Sequence, residues 1–192
     1  MTADQLLQTF RETRALLSGH FELRSGLHSD QYFQCAMLLE HPEATERLCA
    51  ALVAKMRASL GSGLQARTVI APAMGGILVG YEIARALNAR SIFAEKEDGR
   101  LVLRRGFTVG KDEPFVVAED VITRGGRVQE TIDLVEGGGG KVAAIAVLVN
   151  RSGGKAKFKY PTFSLLEMEP VTYEPNQCPL CRKQIPIDHP GS

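Results

Sequence analysis

An alternation of apolar and amphipathic segments from Thr68 onward constrains the fold most strongly. The helix-like segments ILVGYEIARALN and RVQETIDLVEGGGG separate apolar runs, and in the second one Val128, Ile132 and Val135 recur at helical spacing. Uninterrupted apolar strands that alternate with helices are typical of a mostly parallel sheet covered on both faces. The sequence therefore predicts an α/β fold whose strands are TVIAP, RSIFAEK, PFVVAED and KVAAIAVLVNR.

The flanking segments predict smaller elements. An apolar stripe from Leu6 to Leu17 predicts an opening helix, and residues 19–35 predict a short β-hairpin. Helical spacing of apolar residues after Pro42 predicts a further helix. Residues 97–109 are expected to form a charged excursion with a hairpin, and the Pro-rich segment from Pro170 an irregular extension.

Composition excludes several classes of function. The 23 basic and 22 acidic residues of the 192 leave a net charge of +1, which gives no electrostatic footprint for DNA or RNA. Charges run through the amphipathic N-terminus, so neither a signal peptide nor a membrane span is expected there. Four cysteines without an export signal indicate a reducing cytoplasm.

The segment PFVVAEDVITRGGRVQE predicts a ligand site. Glu119 and Asp120 are expected at a strand end, where carboxylates can accept hydrogen bonds from sugar hydroxyls or hold Mg²⁺ through water. Thr123–Gly126 then leads into a helix N-terminus, whose free N–H groups and dipole favour phosphate. Together they indicate a ribose 5-phosphate ligand, whereas the alternative is a capped strand followed by an ordinary glycine turn.

VVAEDVITRGG resembles the phosphoribosyl diphosphate (PRPP) signature of type I phosphoribosyltransferases. More narrowly, residues 5–165 resemble the orotate phosphoribosyltransferase family through the ordered segments FELRSGLHSDQYFQC, APAMGG, FAEKEDG and VLVNRSGG. The resemblance implies one phosphoribosyltransferase domain over 1–192, with a core of about 42–167, a tail of 170–192, and a small β-rich hood from about 18–36 and the chain end. It also implies Mg²⁺-dependent transfer of phosphoribose from PRPP to orotate in pyrimidine synthesis.

The resemblance further implies the residues of the site. Lys96, Glu119 and Asp120 are the expected catalytic residues, and orotate is expected to contact Tyr32, Phe33, Thr123 and Arg151. The expected PRPP-binding residues are Arg24, Ala73, Gly75, Gly76, Lys96, Glu119, Asp120, Val121, Ile122, Thr123, Arg124, Gly125, Gly126 and Arg127. Mg²⁺ is expected to be held mainly by PRPP, in a homodimer in which the mobile loop of one subunit serves the site of the other.

The chain departs from the better-known bacterial form of that family at two places. Its loop segment lacks histidine and keeps only Arg100, Arg104 and Arg105, and Gly75 stands where that form has lysine. The expected protein is a short-loop branch in which Arg104 or Arg105 compensates. A purine-type phosphoribosyltransferase and a non-catalytic PRPP- or nucleotide-sensing regulator on the same fold are the alternatives.

The segment CPLC has the spacing of a metal knuckle. Cys178 and Cys181 form a possible zinc pair, with Asp188, His189 or a second subunit completing the four ligands that zinc requires. The alternative is a cysteine pair without metal. Cys35 and Cys49 are expected to be buried as small apolar residues.

Overall fold

The computed structural model describes residues 3–23, 25–169 and 171–190, which form two compact units. The smaller unit consists of the described residues up to His41 and from Glu169 onward, and the larger unit is Pro42–Met168. The helices are α1 (Ala3–Glu12), α2 (Cys35–Leu39), α3 (Pro42–Leu60), α4 (Gly75–Leu87), α5 (Gly126–Gly137) and α6 (Pro179–Arg182). The strands are β1 (Leu16–Glu22), β2 (His28–Phe33), β3 (Thr68–Pro72), β4 (Arg90–Glu97), β5 (Arg100–Leu103), β6 (Pro114–Ile122), β7 (Lys141–Asn150), β8 (Thr162–Glu167) and β9 (Thr172–Tyr173).

A six-stranded sheet organises the larger unit. Its strand order is β5-β4-β3-β6-β7-β8, and all neighbours pair in parallel except β4 and β5. The predicted mostly parallel α/β sheet is therefore confirmed. β8 was missed, because its segment TFSLLE carries a serine and a glutamate among its apolar residues and follows a glycine- and lysine-rich loop.

Helices cover both faces of this sheet. On β3, Ile70 belongs to the apolar cluster that contains Val128, Ile132 and Val135 of α5. Its neighbour Ala71 points to the opposite face, where a Cβ added at Gly80 of α4 would lie 2.9 Å from the Ala71 Cβ. The buried alternate faces of β3 explain why the strand is apolar at every position.

The smaller unit contains a three-stranded antiparallel sheet in the order β1-β2-β9. The predicted hairpin over residues 19–35 is confirmed, but the opening helix is shorter than expected. It ends at Glu12, and Leu16 and Leu17 instead pair with Phe33 and Tyr32 across the hairpin. Pairing between strands thus overrides the helical spacing of these leucines.

The C-terminal tail is more regular than expected. It supplies β9 to the small sheet and a short helix, α6, and Asp188 forms a bridge to Phe21 of β1. The prediction of an irregular extension is therefore wrong, because the tail hydrogen-bonds to the hairpin. No helix among the described residues has the length and apolarity to cross a membrane.

Candidate active site

The acidic pair lies on β6, near the edge where the parallel strands β3, β4, β6 and β7 end. β6 continues past the pair, with Val121 and Ile122 paired to Val149 and Asn150 of β7, so the acids precede the strand end by two residues. The Glu119 side chain is buried at 3% exposure, whereas Asp120 is half-buried. Backbone N–H groups hold both carboxylates, from Asp120 to Glu119 Oε1 at 3.2 Å and from Val121 to Asp120 Oδ1 at 2.9 Å.

Burial controls the protonation of Glu119. Desolvation first, and then the adjacent Asp120 carboxylate, raise the pKa of Glu119 from 4.5 to about 9. Glu119 therefore carries a proton at neutral pH. Asp120 then lies beside a neutral carboxylic acid rather than a second negative charge. Such a perturbed acid beside a second carboxyl group is typical of functional sites.

The N-terminus of α4 lies against this pair. A Cβ added at Gly75 would overlap the Asp120 carboxylate, so glycine permits the close approach of this helix end. The preceding peptide bond, Ala73–Met74, is cis. Ala73 donates its N–H to the Ala94 carbonyl at 2.8 Å, and its own carbonyl lies 3.4 Å from Nη1 of Arg127. The structure thus brings the predicted residues Ala73, Gly75 and Arg127 into one neighbourhood.

Gly75, where the chain lacks the expected lysine, contacts the Asp120 carboxylate. Any side chain there must first displace the carboxylate that the sequence places on β6. Gly76, the next residue, is buried, and a Cβ added to it would lie 3.1 Å from Glu119 Oε1. Both glycines of APAMGG therefore fit the helix start closely onto the acidic pair.

The N-terminus of α5 follows directly after β6. Gly125 caps this helix with a φ of 82°, and a Cβ added there would lie 2.8 Å from Phe158. By contrast, a Cβ added at Gly126 has no protein atom within 4 Å. Thr123 and Arg124 are exposed in this turn, and a free helix N-terminus of this kind presents N–H groups that favour an anion.

The predicted mobile loop is a β4–β5 hairpin. Glu97 pairs with Arg100, and the two turn residues Asp98 and Gly99 both have positive φ (46° and 82°), as in a type I′ turn. Lys96 is exposed near the end of β4, the edge that also carries the acidic pair.

The two arginines expected to compensate for missing loop cations both form ion pairs within the hairpin. Arg105 makes two 2.9 Å hydrogen bonds to the Glu95 carboxylate, and Arg104 lies 3.4 Å from Glu97. Because these pairs are exposed, their stabilisation is small and either cation can exchange partners at modest cost. Compensation by Arg104 or Arg105 stays a prediction.

Two predicted orotate contacts meet at the end of β7. The Arg151 backbone N–H donates to the Ile122 carbonyl at 2.7 Å, which places Arg151 beside Thr123, the next residue on the neighbouring chain segment. Arg151 is half-buried, a setting in which a guanidinium can offer a planar set of donors.

The remaining predicted contacts lie in the smaller unit or outside the described residues. Tyr32 is half-buried on β2, and its ring lies 5.7 Å from that of Phe21. Phe33 is buried at 5% exposure, and its edge-to-face contact with Phe10 gives it a packing role. Contact of either ring with a base stays a prediction, and Arg24 lies outside the residues that the structure describes.

The cysteine pair has partners that the sequence analysis missed. Nitrogen atoms of His20 and His28 converge with the sulfur atoms of Cys178 and Cys181. Neither Asp188 nor His189 belongs to this group, since Asp188 pairs with β1 and His189 Nδ1 lies 3.3 Å from a Glu22 carboxylate oxygen. The expectation that Asp188 or His189 would complete the pair is therefore wrong.

A β-bulge explains why His20 was missed. From Ser18 to Phe21, β1 advances three residues while its partner β2 advances two, from Gln31 to Ser29. The extra residue lets consecutive residues His20 and Phe21 both be buried, which breaks the alternation expected of a strand. One signal in the sequence could have pointed to the histidines. A CxxC pair needs two further ligands to bind zinc, and the chain contains four histidines.

This fold and site define a phosphoribosyltransferase: residues 36–181 match the family model described as "Phosphoribosyl transferase domain". The chain is 51% identical over 187 residues to the orotate phosphoribosyltransferase of Carboxydothermus hydrogenoformans, covering 97% of this chain and 96% of the relative. It therefore belongs to the orotate phosphoribosyltransferase family.

Solved structures show the same fold. The orotate phosphoribosyltransferase of Aeropyrum pernix superposes with a TM-score of 0.68 at 23% identity, over 84% of this chain and 93% of that one. The adenine phosphoribosyltransferase of Rhodothermus marinus reaches 0.65 at 18% identity, over 86% and 99% of the two chains. Because structures named for different bases fit almost equally, the fold alone does not discriminate between them.

Proposed function

We propose that the chain transfers the 5-phosphoribosyl group of PRPP to orotate, giving orotidine 5′-monophosphate and diphosphate, in pyrimidine biosynthesis. The single observation that carries the choice of base is the 51% identity, over nearly the whole chain, to a relative named for orotate. The arrangement of two glycine-rich helix starts around an acidic pair supports the choice of PRPP.

The N-termini of α5 and α4 bind different phosphate groups of PRPP. The α5 N-terminus, with its exposed turn and the open surface at Gly126, holds the 5-phosphate. The α4 N-terminus, beside Arg127, faces the diphosphate. Between them, Asp120 accepts hydrogen bonds from the ribose hydroxyls, and the protonated Glu119 limits the negative charge beside the anionic substrate.

The acidic pair fits a divalent cation. Mg²⁺ prefers oxygen ligands and keeps several waters, so few protein ligands suffice. Asp120 supplies a half-buried carboxylate, and its proximity contributes to the raised pKa of Glu119, a repulsion that a cation would relieve. When bound, Mg²⁺ neutralises charge on the diphosphate leaving group.

The chain's cations and donors act on the transition state. The bond between C1 of ribose and the diphosphate oxygen breaks while a ring nitrogen of orotate bonds to C1 and gives up its proton to solvent. Lys96, on the hairpin, neutralises charge that grows on the leaving diphosphate. Arg151, fixed through its backbone to Ile122, pairs with an oxyanion of orotate and orients the ring beside Thr123.

A homodimer with a shared loop belongs to the proposal. Met74, Leu78 and Tyr81 form a stripe along α4, spaced by four and three residues, and are 81%, 52% and 60% exposed. The same helix face borders a cleft of about 370 Å³ lined by Ile77 and Phe93 among others. An exposed apolar stripe next to a cleft is typical of a surface that another subunit covers.

Mixing two inactive variants tests the shared loop. If the hairpin serves the opposite subunit, Lys96→Ala and Asp120→Asn chains unfolded and refolded together recover activity. Half of the dimers are then mixed and each holds one intact site, so about a quarter of the native activity returns. No recovery, with mixed dimers present by native mass spectrometry, would show that each hairpin serves its own subunit.

The proposed compartment is the cytoplasm. Cys35, Cys49, Cys178 and Cys181 are free thiols, as in a reducing environment. PRPP and orotate are charged metabolites, so a water-filled compartment also suits both substrates.

Turnover with different bases tests the function. The protein is mixed with PRPP, Mg²⁺ and either orotate, adenine or hypoxanthine, and release of diphosphate is followed. Diphosphate release with orotate alone, abolished by removing the metal, is the expected result. Release with a purine instead of orotate would indicate the purine-type alternative, and PRPP binding without any release would indicate a sensor.

A further inference from the structure

Four side chains of types that bind metal ions converge within the smaller unit. His20 lies on β1 and His28 on β2, whereas Cys178 caps α6 and Cys181 lies within that helix. One ligand atom from each lies within 4.8 Å of the others. Residues separated by 158 positions in the chain therefore converge on one point.

Four of the six distances between these atoms lie within about 0.4 Å of those in a tetrahedral zinc site. Zn–S bonds of about 2.3 Å and Zn–N bonds of about 2.05 Å place tetrahedral ligands about 3.4 Å apart for two nitrogens and about 3.6 Å apart for nitrogen and sulfur. His20 Nε2 lies 3.0 Å from His28 Nδ1. It lies 3.6 Å and 3.7 Å from the sulfurs of Cys178 and Cys181, and His28 Nδ1 lies 3.3 Å from Cys181 Sγ.

A hydrogen bond behind His20 orients it as a ligand. Its Nδ1 lies 2.8 Å from the Ile185 carbonyl oxygen, which can only accept, so Nδ1 carries the proton. The lone pair is then on Nε2, the atom that faces the other three groups. A second partner that fixes the tautomer in this way is a regular feature of histidines that bind metal.

Backbone hydrogen bonds within the tail position both cysteines. Arg182 donates its backbone N–H to the Cys178 carbonyl at 3.3 Å, and Gln184 donates to that of Cys181 at 2.9 Å. Ile185, whose carbonyl orients His20, donates to Leu180 at 3.1 Å. The same turn therefore positions two ligands and the group that orients a third.

Burial and charge also suit a cation at this point. His20, His28 and Cys178 are 3%, 6% and 1% exposed, and Cys181 lies at the surface. Two thiolates balance the charge of one Zn²⁺, and neutral imidazoles add none, so the loaded site carries no net charge. All four positions are filled by protein, which is typical of structural rather than catalytic zinc.

We propose that His20, His28, Cys178 and Cys181 bind one Zn²⁺ and thereby fasten the C-terminal segment to the β1–β2 hairpin. Binding converts the two thiols to thiolates and releases two protons to solvent. The smaller unit is built from two separated chain segments and has a small apolar core, conditions under which a metal supplies stability that packing cannot.

Metal analysis of tag-free protein tests this site. Full-length protein is refolded with reductant and excess zinc, dialysed against a weak chelator, and analysed by plasma mass spectrometry. About one zinc per chain is expected in the native protein, and less than about a tenth in His28→Asn and Cys181→Ser. His189→Asn is the matched control, because His189 lies in the same tail but pairs with Glu22, and it should retain about one zinc.

Cobalt substitution supplies a spectroscopic check that does not depend on how well the variants fold. Native protein loaded with Co²⁺ should show thiolate-to-metal charge transfer and the intense visible bands of tetrahedral cobalt. Zinc removal should lower the melting temperature by at least about 5 °C.

Three results would overturn the proposal. The first is a zinc content that does not depend on the four proposed ligands. This would be seen as native protein that stays zinc-free under reducing conditions, or as His189→Asn losing as much metal as His28→Asn. The second is a protein mass lower by two hydrogen atoms, measured without reductant and unchanged after zinc loading, which would show that the two cysteines form a disulfide. The third is an unchanged melting temperature after zinc removal, which would refute the fastening role.

Discussion

Replacing Glu119 by glutamine should change how the stability of the protein depends on pH. Burial raises the pKa of Glu119 from 4.5 to about 9, so the folded chain keeps a proton that the unfolded chain has lost at neutral pH. The stability contributed by the neutral carboxyl is fully present below pH 4.5 and is lost as pH rises through about 9. Glutamine has a similar shape and does not titrate, so its contribution is constant.

The size of the effect follows from one bound proton. Each pH unit between the two pKa values costs the native protein up to about 1.4 kcal/mol relative to the glutamine variant. Between pH 6 and 8, the Glu119→Gln protein should therefore gain about 3 kcal/mol of unfolding free energy relative to the native protein.

Urea denaturation at pH 6, 7 and 8, followed by far-ultraviolet circular dichroism, measures this difference. Glu130→Gln, an exposed position on α5, is the control for removing one acidic group. Parallel stability curves for the native and Glu119→Gln proteins would show instead that Glu119 holds no extra proton in the folded state.

Further predictions concern the helix starts, the base contact and the hairpin cation. Gly125→Ala should lose about 1–3 kcal/mol of unfolding free energy by urea denaturation, because φ is 82° and Phe158 lies in the way. Gly126→Ala should fold normally but bind PRPP more weakly by calorimetry, and equal stability losses in the two variants would contradict this distinction. Arg151→Ala should raise the KM for orotate at least about tenfold, more than that for PRPP, and an equal rise in both would indicate a packing role. Lys96→Ala should lower kcat about a hundredfold with little change in PRPP affinity; a change in affinity alone would make Lys96 a ground-state contact.

The core of the fold could be predicted from the sequence because local pattern and burial agree there. β3, β6 and β7 are apolar and buried on both faces, and the spacing of Val128, Ile132 and Val135 matches the buried side of α5. The glycines that end α5 are also visible in the sequence.

Elements that depend on distant pairing were not predictable in this way. Leu16 and Leu17 continue the apolar spacing of α1, yet they form a strand because β2 lies opposite. The short strand β9 exists through its pairing with β2. A bulge in β1 turns His20 inward, and the local sequence pattern does not predict this bulge.

The candidate site also combines features that the local sequence indicates with features that depend on contacts between distant residues. The acidic pair, the turn and the helix start are contiguous from Glu119 to Gly126, so the sequence could indicate their chemistry. The contact of Gly75 with Asp120 joins residues on separate elements and required the structure. The protonation of Glu119 likewise follows from burial, which a sequence pattern does not quantify.

One comparison of three proteins shows whether the acidic pair of β6 serves orotate phosphoribosyl transfer. Loss of orotate absorbance with PRPP and Mg²⁺ is followed for the native protein, for Asp120→Asn, and for Asp133→Asn, an exposed acid of α5 that bonds to Gln129. We expect metal-dependent turnover by the native and Asp133→Asn proteins and a loss of at least about a hundredfold in Asp120→Asn. Native turnover matched by Asp120→Asn, or no turnover by the native protein, would contradict the account.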